Sequence, residues 1–81
     1  MTNTEVIAEA RAHATLPPPP LARAIREAAG LSQARMAVAL DVTPITICRW
    51  EGGTRTPRRQ HLVAYAALLR ELQRIEPEQA R

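Results

Sequence analysis

The stretch "VTPITICRWEGG" (Val42 to Gly53) decides how the rest of the chain is read. Thr43 is a capping residue type and Pro44 suits the first turn, so a helix starts here. Gly52-Gly53 stops it. Wound at about 3.6 residues per turn, this helix puts Pro44, Ile45, Thr46 and Arg49 on one side and Ile47 and Trp50 on the other. A helix that only supports a core fills its outer face with Glu, Lys or Gln. This one offers water an Ile, a Thr and an Arg, the composition of a surface that reads something.

Upstream, Ser32 caps a helix from Gln33 to Leu40, with Met36, Ala37 and Leu40 inward. Asp41 and Val42 make the tight turn, and Asp tolerates the left-handed conformation better than most residues. Two short helices joined by the Asp41–Thr43 turn describe a helix-turn-helix. Residues 21–29, "LARAIREAA", form the helix before it, with Leu21, Ile25 and Ala28 on a shared face and Gly30 as its left-handed cap. Downstream, Thr56-Pro57 is expected to open a last helix as Thr43-Pro44 opens its own. That helix reaches about Arg74, with Leu62, Tyr65, Ala66, Leu69 and Leu72 inward.

The N-terminal stretch "TEVIAEARAHA" (residues 4–14) reads as a short helix capped by Thr4. Val6, Ile7, Ala10 and Ala14 fall at helical spacing. Alone it is marginal, so it is expected to pack on the rest of the chain or on a second subunit. "LPPPPL" (Leu16 to Leu21) breaks it with a stiff extended spacer, and Pro20 fits the first turn of the next helix. A docking site for a proline-reading domain is the lesser alternative. The organisation expected is an N-terminal helix and spacer (1–20), a helix-turn-helix domain (21–75) and a tail (76–81). No strand pattern and no internal repeat is visible.

At 81 residues the chain is one small domain's worth, able to bury roughly 60% of its unfolded surface. Dimerisation would supplement so small a core. Hydrophobic residues make up 46% of it, but many are Ala, which favour helix and add little core volume. All 11 basic residues are Arg. A codon bias explains that choice, yet its physical consequence holds: Arg grips phosphate and guanine as a bidentate fork, where Lys is a point charge. Charge is unevenly spread. Residues 22–59 carry seven Arg against Glu27, Asp41 and Glu51, a local +4 within a chain of net +3. A cationic zone around the quoted stretch is the footprint of a nucleic-acid partner. Cys48 is alone and reads as an inert thiol, and His13 and His61 have no metal-ligand spacing, so neither a disulfide nor a metal or cofactor site is expected. No apolar run reaches a membrane span and no signal peptide is apparent, so a cytoplasmic, nucleoid-associated location is expected.

The run "IREAAGLSQARMAVALDVTPITICRWEGGTRTP" (Ile25 to Pro57) resembles the Cro and lambda-repressor-like (XRE) helix-turn-helix family. That pattern reads approximately I-R, G-L-S-Q, L-A, G-V-S, then I-S-R-W-E-x-G-x-x-x-P. The resemblance implies an all-α, compact helical bundle with a helix-turn-helix, here with an extra N-terminal helix. It also implies an ion pair of Arg26 with Glu51, tying the first core helix to the end of the recognition helix. This chain departs in having Asp41 where the family usually has Gly, and Arg35 where it usually has an acid. The family's fifth helix is missing or replaced, so its dimer geometry does not transfer.

In such a fold the second motif helix lies in the major groove. Arg49 then forks onto guanine, Thr46 donates or accepts, and Ile45 and Pro44 meet a thymine methyl. The competing reading of Ile45 is packing against another helix or subunit. Phosphate contacts are expected from Gln33, which the resemblance supports, and from Arg55, Arg58 and Arg59, with Arg35 and Thr43 secondary. The function expected is a sequence-specific, double-stranded-DNA-binding transcriptional regulator of repressor type. It would be a homodimer at least on DNA, with a protein partner possible through the N-terminal helix. The alternatives are an antitoxin of a toxin–antitoxin pair and an excision-type DNA-architectural factor. The run "VTPITICRW" also resembles winged excisionase and MerR-type motifs, but no β-wing pattern follows it. No nucleophile–base pair, carboxylate pair or phosphate loop is visible, so an enzyme is not expected.

Overall fold

In the computed structural model, which describes residues 2–75, the chain forms five helices and, among those residues, no strand. They are α1 (Asn3–Thr15), α2 (Pro19–Ala28), α3 (Gln33–Leu40), α4 (Pro44–Gly52) and α5 (Arg59–Gln73). This is the all-α bundle with a helix-turn-helix, α3 and α4 being the motif. The tail at 76–81 lies outside the described residues.

Three successive helices stop by the same device. Gly30, Asp41 and Gly53, at φ 76°, 57° and 77°, follow α2, α3 and α4 in the left-handed region. In each case the next amide folds back: Leu31 N–H donates to the Arg26 carbonyl at 3.2 Å, Val42 to Ala37 at 2.9 Å and Thr54 to Arg49 at 3.1 Å. These Schellman closures satisfy carbonyls that a helix end otherwise leaves unpaired. The starts are equally defined. Ser32 Oγ accepts from Arg35 N–H at 3.0 Å, and Thr43 Oγ1 from Thr46 N–H at 3.4 Å. Helices of 8 and 9 residues are too short to persist alone; closure at both ends and burial of one face hold them.

The main core lies under α4. Ile47 and Trp50 meet Met36, Ala37 and Leu40 of α3, Ala22 and Ile25 of α2, and Tyr65 and Leu69 of α5. Trp50 packs on Tyr65 with ring centroids 4.8 Å apart and planes at 43°. A second, smaller cluster joins Ala12 of α1 to Leu62 and Ala66 of α5. Leu16, in the extended spacer, packs against both clusters. Only Leu16–Pro18 remains outside helices there; Pro19 and Pro20 form the first turn of α2.

Three local expectations fail. Leu21 is 47% exposed and Ala28 is exposed, so they do not share a buried face with Ile25. The inward face of α2 is Ala22, Ile25 and Arg26, because Arg26 turns in to meet Glu51 and rotates the helix with it. Helix α1 is capped by Thr2, not Thr4, and buries Ala12. Val6 and Ile7 are 50% and 56% exposed. The small Ala12 allows close approach to α5, and Glu9 holds the same face through Arg59 at 3.1 Å. Finally, α5 begins at Arg59 without a side-chain cap. Pro57 is buried instead of opening the helix, and lines a small hollow with Leu16, Pro19, Trp50 and Tyr65.

Candidate nucleic-acid interface

The orientation of α4 is set by a polar knot beneath it. Arg26 reaches from α2 and grips Glu51 with both arms of its fork: Nε donates to Oε2 at 2.6 Å and Nη2 to Oε1 at 3.0 Å. Its third nitrogen, Nη1, donates to the Leu31 carbonyl at 2.7 Å. Gln33, at the start of α3, donates its side-chain amide to Glu51 Oε1 at 3.1 Å. The Glu51 carboxylate therefore ties α2, α3 and α4 together, and Arg26 adds the turn after α2. The bond from Glu51 raises the Arg26 pKa despite burial, which pulls the other way. Burial works to raise the Glu51 carboxyl, and the bonds from Arg26 and Gln33 outweigh it, holding Glu51 below its usual range. Removing one partner of so buried a pair strands the other charge, at a cost of about 3–5 kcal/mol. Tyr65 lies close by. Its hydroxyl is buried without a hydrogen-bond partner among the described residues, and burial, followed by the Glu51 charge, pushes its pKa up to about 12.

With Ile47, Trp50 and Glu51 buried, the rest of α4 faces water. Ile45 is 54% exposed, and Pro44, Cys48 and Arg49 are exposed with it. Thr46 is half-buried at the edge, and its hydroxyl is held 2.9 Å from that of Thr43. The four residues expected at base edges thus lie along the solvent side of a helix whose other side is fixed.

Around that helix the remaining candidates differ in their surroundings. Arg35, Arg49, Arg55 and Arg58 have no carboxylate partner among the described residues, whereas Arg59 is paired with Glu9 of α1. The Gln33 side chain is engaged with Glu51, so its open group is the backbone N–H at the start of α3. Arg49, Arg55 and Arg58 converge on a cleft of about 190 Å³ floored by Trp50. Sequence reading passed over one residue there, His61, which lines the same cleft from the first turn of α5. The signal was its spacing from Tyr65, one helical turn on, which puts both rings on the Trp50 side. Metal-ligand spacing, which His61 lacks, carries no information about such a cleft.

No helix among the described residues is long and apolar enough to cross a membrane. No curated protein and no solved structure matches the chain. The family model described as "Helix-turn-helix domain" matches residues 21–76, from within the first turn of α2 past the end of α5. That match spans well over half of the sequence, and the chain belongs to the helix-turn-helix domain family.

Proposed function

We propose that the protein is a sequence-specific, double-stranded-DNA-binding transcriptional regulator, a non-enzymatic repressor that inserts α4 in the major groove and binds as a homodimer on a two-fold site. The observation that carries this reading is the pairing of exposed Arg49 and Ile45, on one side of α4, with a fully anchored opposite side. A base reader must be held rigidly by its supporting shell, and Arg49, without a carboxylate partner among the described residues, keeps its fork available. Arg49 forks onto guanine O6 and N7, Thr46 hydrogen-bonds a base edge, and Ile45 and Pro44 contact a thymine methyl. Arg35, Thr43, Arg55, Arg58 and Arg59 and the Gln33 backbone N–H meet phosphates on either side.

The test is selection from a random duplex library at about 150 mM salt, followed by affinity against salt for the winner. The expected result is a palindromic site with half-sites about 10 bp apart or a multiple, and a steep negative salt slope. Arg49→Ala then costs about 1–3 kcal/mol and relaxes one base pair, while Arg55→Ala weakens all sequences alike. No enrichment and only weak binding would overturn the reading. The exposed Val6 and Ile7 on α1 favour a second reading, in which this helix meets a protein partner as an antitoxin's would. An adjacent gene for a small toxin is its discriminator.

A further inference from the structure

The cleft beside α4 gathers positive charge with nothing to neutralise it. Arg49 of α4, Arg55 and Arg58 of the connecting segment and His61 of α5 line it, and no Asp or Glu does. None of the three guanidinium groups has a carboxylate partner among the described residues. A cleft lined by cations and by no acid favours an anion within it, and Arg55 and Arg58 remain for that anion when Arg49 reaches a base. The rest of its wall is uncharged, with Thr46, Thr56 and Trp50.

His61 differs from the arginines in lying beside an aromatic ring of the core. Its ring lies 6.0 Å from that of Trp50 at 46°, and Trp50 is itself packed on Tyr65. An imidazole set by packing presents one N–H when neutral and two when protonated, the second with a charge facing the anion. No other ionisable group lines the cleft: Tyr65, on the far side of the His61–Trp50–Tyr65 ring series, lies outside it, as do Arg11 and His13 of α1 and Cys48 of α4. Arg26 and Glu51 hold each other, and so do Arg23 and Glu27. Glu5 and Glu9 of α1 line a different hollow with Arg59, and Arg35 and Asp41 line no wall of this cleft.

We propose that this cleft seats one phosphate of the DNA backbone and that His61 is a ligand to it, donating as imidazolium, so that DNA binding takes up a proton. The proposal rests on the DNA-binding reading and adds to it a residue and a pH dependence. Histidine changes charge between about pH 5 and 8, so duplex affinity rises on acidification across that range. The shared ligand chemistry is a phosphate oxyanion, and a free phosphate is its other source.

The experiment measures affinity of the full chain for the selected duplex between about pH 8 and 5.5 at constant salt. Wild type is expected to bind about tenfold more tightly at the acidic end. His61→Gln, which keeps an N–H-donating nitrogen but cannot gain a charge, is expected to change by less than about twofold over the same range. His13→Gln keeps the full dependence, and Arg55→Ala weakens binding at every pH while retaining the slope. A second measurement titrates inorganic phosphate, then duplex, against the fluorescence of Trp50, the one tryptophan, and the NMR signal of the His61 ring. Duplex should move His61 to its imidazolium position at neutral pH. Tight duplex binding with a flat pH profile, or a slope that survives His61→Gln, overturns the proposal and leaves the DNA reading standing. Response of Trp50 and His61 to inorganic phosphate without duplex binding overturns both and makes the cleft a site for the free anion.

Discussion

Helix α4 is held by Ile47, Trp50 and Glu51, all buried, whereas α1 buries only Ala12. The first seam combines large apolar side chains with a four-element hydrogen-bonded knot. The second is a small apolar contact, Ala12 on Leu62 and Ala66, bordered by the pair of exposed Arg59 with half-buried Glu9. A surface ion pair of that kind is worth about 0–1 kcal/mol. The molecule thus spends its specific interactions on the orientation of one short helix and attaches α1 by apposition. That inequality fits the proposal that α4 presents side chains to DNA, which needs a fixed orientation.

The largest effect should come from the knot. Glu51→Ala is expected to cost about 3–5 kcal/mol in denaturant unfolding, because Arg26 is left buried without its anion. A loss below about 1 kcal/mol would mean that apolar packing alone orients α4. The same carboxylate gives a pH test. Its folded pKa lies below the unfolded value, so its contribution is complete above about pH 4.3 and is lost as pH falls through the folded value. Wild type should therefore lose stability below that range, and Glu51→Gln should show a shallower acid limb.

The α1 seam should yield more cheaply. Ala12→Asp places a charge against Leu62 and Ala66, and α1 should leave α5 for about 2 kcal/mol rather than keep that charge buried. Hydrogen exchange is the measure: α1 amides should lose protection while those of α3 and α4 keep it, and duplex affinity should change by less than about twofold. Loss of protection throughout would show that the two seams are one cooperative unit and erase the contrast.

How far the sequence revealed these seams follows from what each is made of. Caps, glycines and prolines act locally, so the bounds of α3 and α4 and the left-handed turn at Asp41 were legible from "LSQARMAVALDVTPITICRWEGG" itself. The outward set of Ile45, Thr46 and Arg49 followed from helical geometry alone. The Arg26–Glu51 pair joins residues far apart in sequence and came only from family resemblance. Its consequence, the rotation of α2 that leaves Leu21 outside, was not legible at all, because periodicity ranks Leu above Arg for burial. For α1 the same rule chose Val6 and Ile7, and the structure chose Ala12, since a helix meeting a crowded neighbour gains more from close approach than from bulk. His61 escaped for a related reason: a cleft is a property of three segments, and only one of them carries the histidine.

The smallest effect lies in the turn between the motif helices. Gly30 and Gly53 close α2 and α4, but Asp41 closes α3 at φ 57°, where a Cβ crowds the following carbonyl. Its side chain is exposed, so replacing it removes no buried contact. Asp41→Gly should therefore stabilise the protein by about 1 kcal/mol, read as a higher denaturant midpoint at unchanged slope. Asp41→Ala should move the midpoint the other way, because Ala keeps the Cβ and lacks the short polar side chain that makes the left-handed region tolerable for Asp. If Asp41→Gly also leaves the affinity for the selected duplex unchanged, the turn's strain is incidental to presenting α4. If affinity falls while stability rises, the strained Asp41 turn is itself part of how α3 sets the angle of the recognition helix, and the seam that orients α4 extends from the Glu51 knot to the opposite end of the helix.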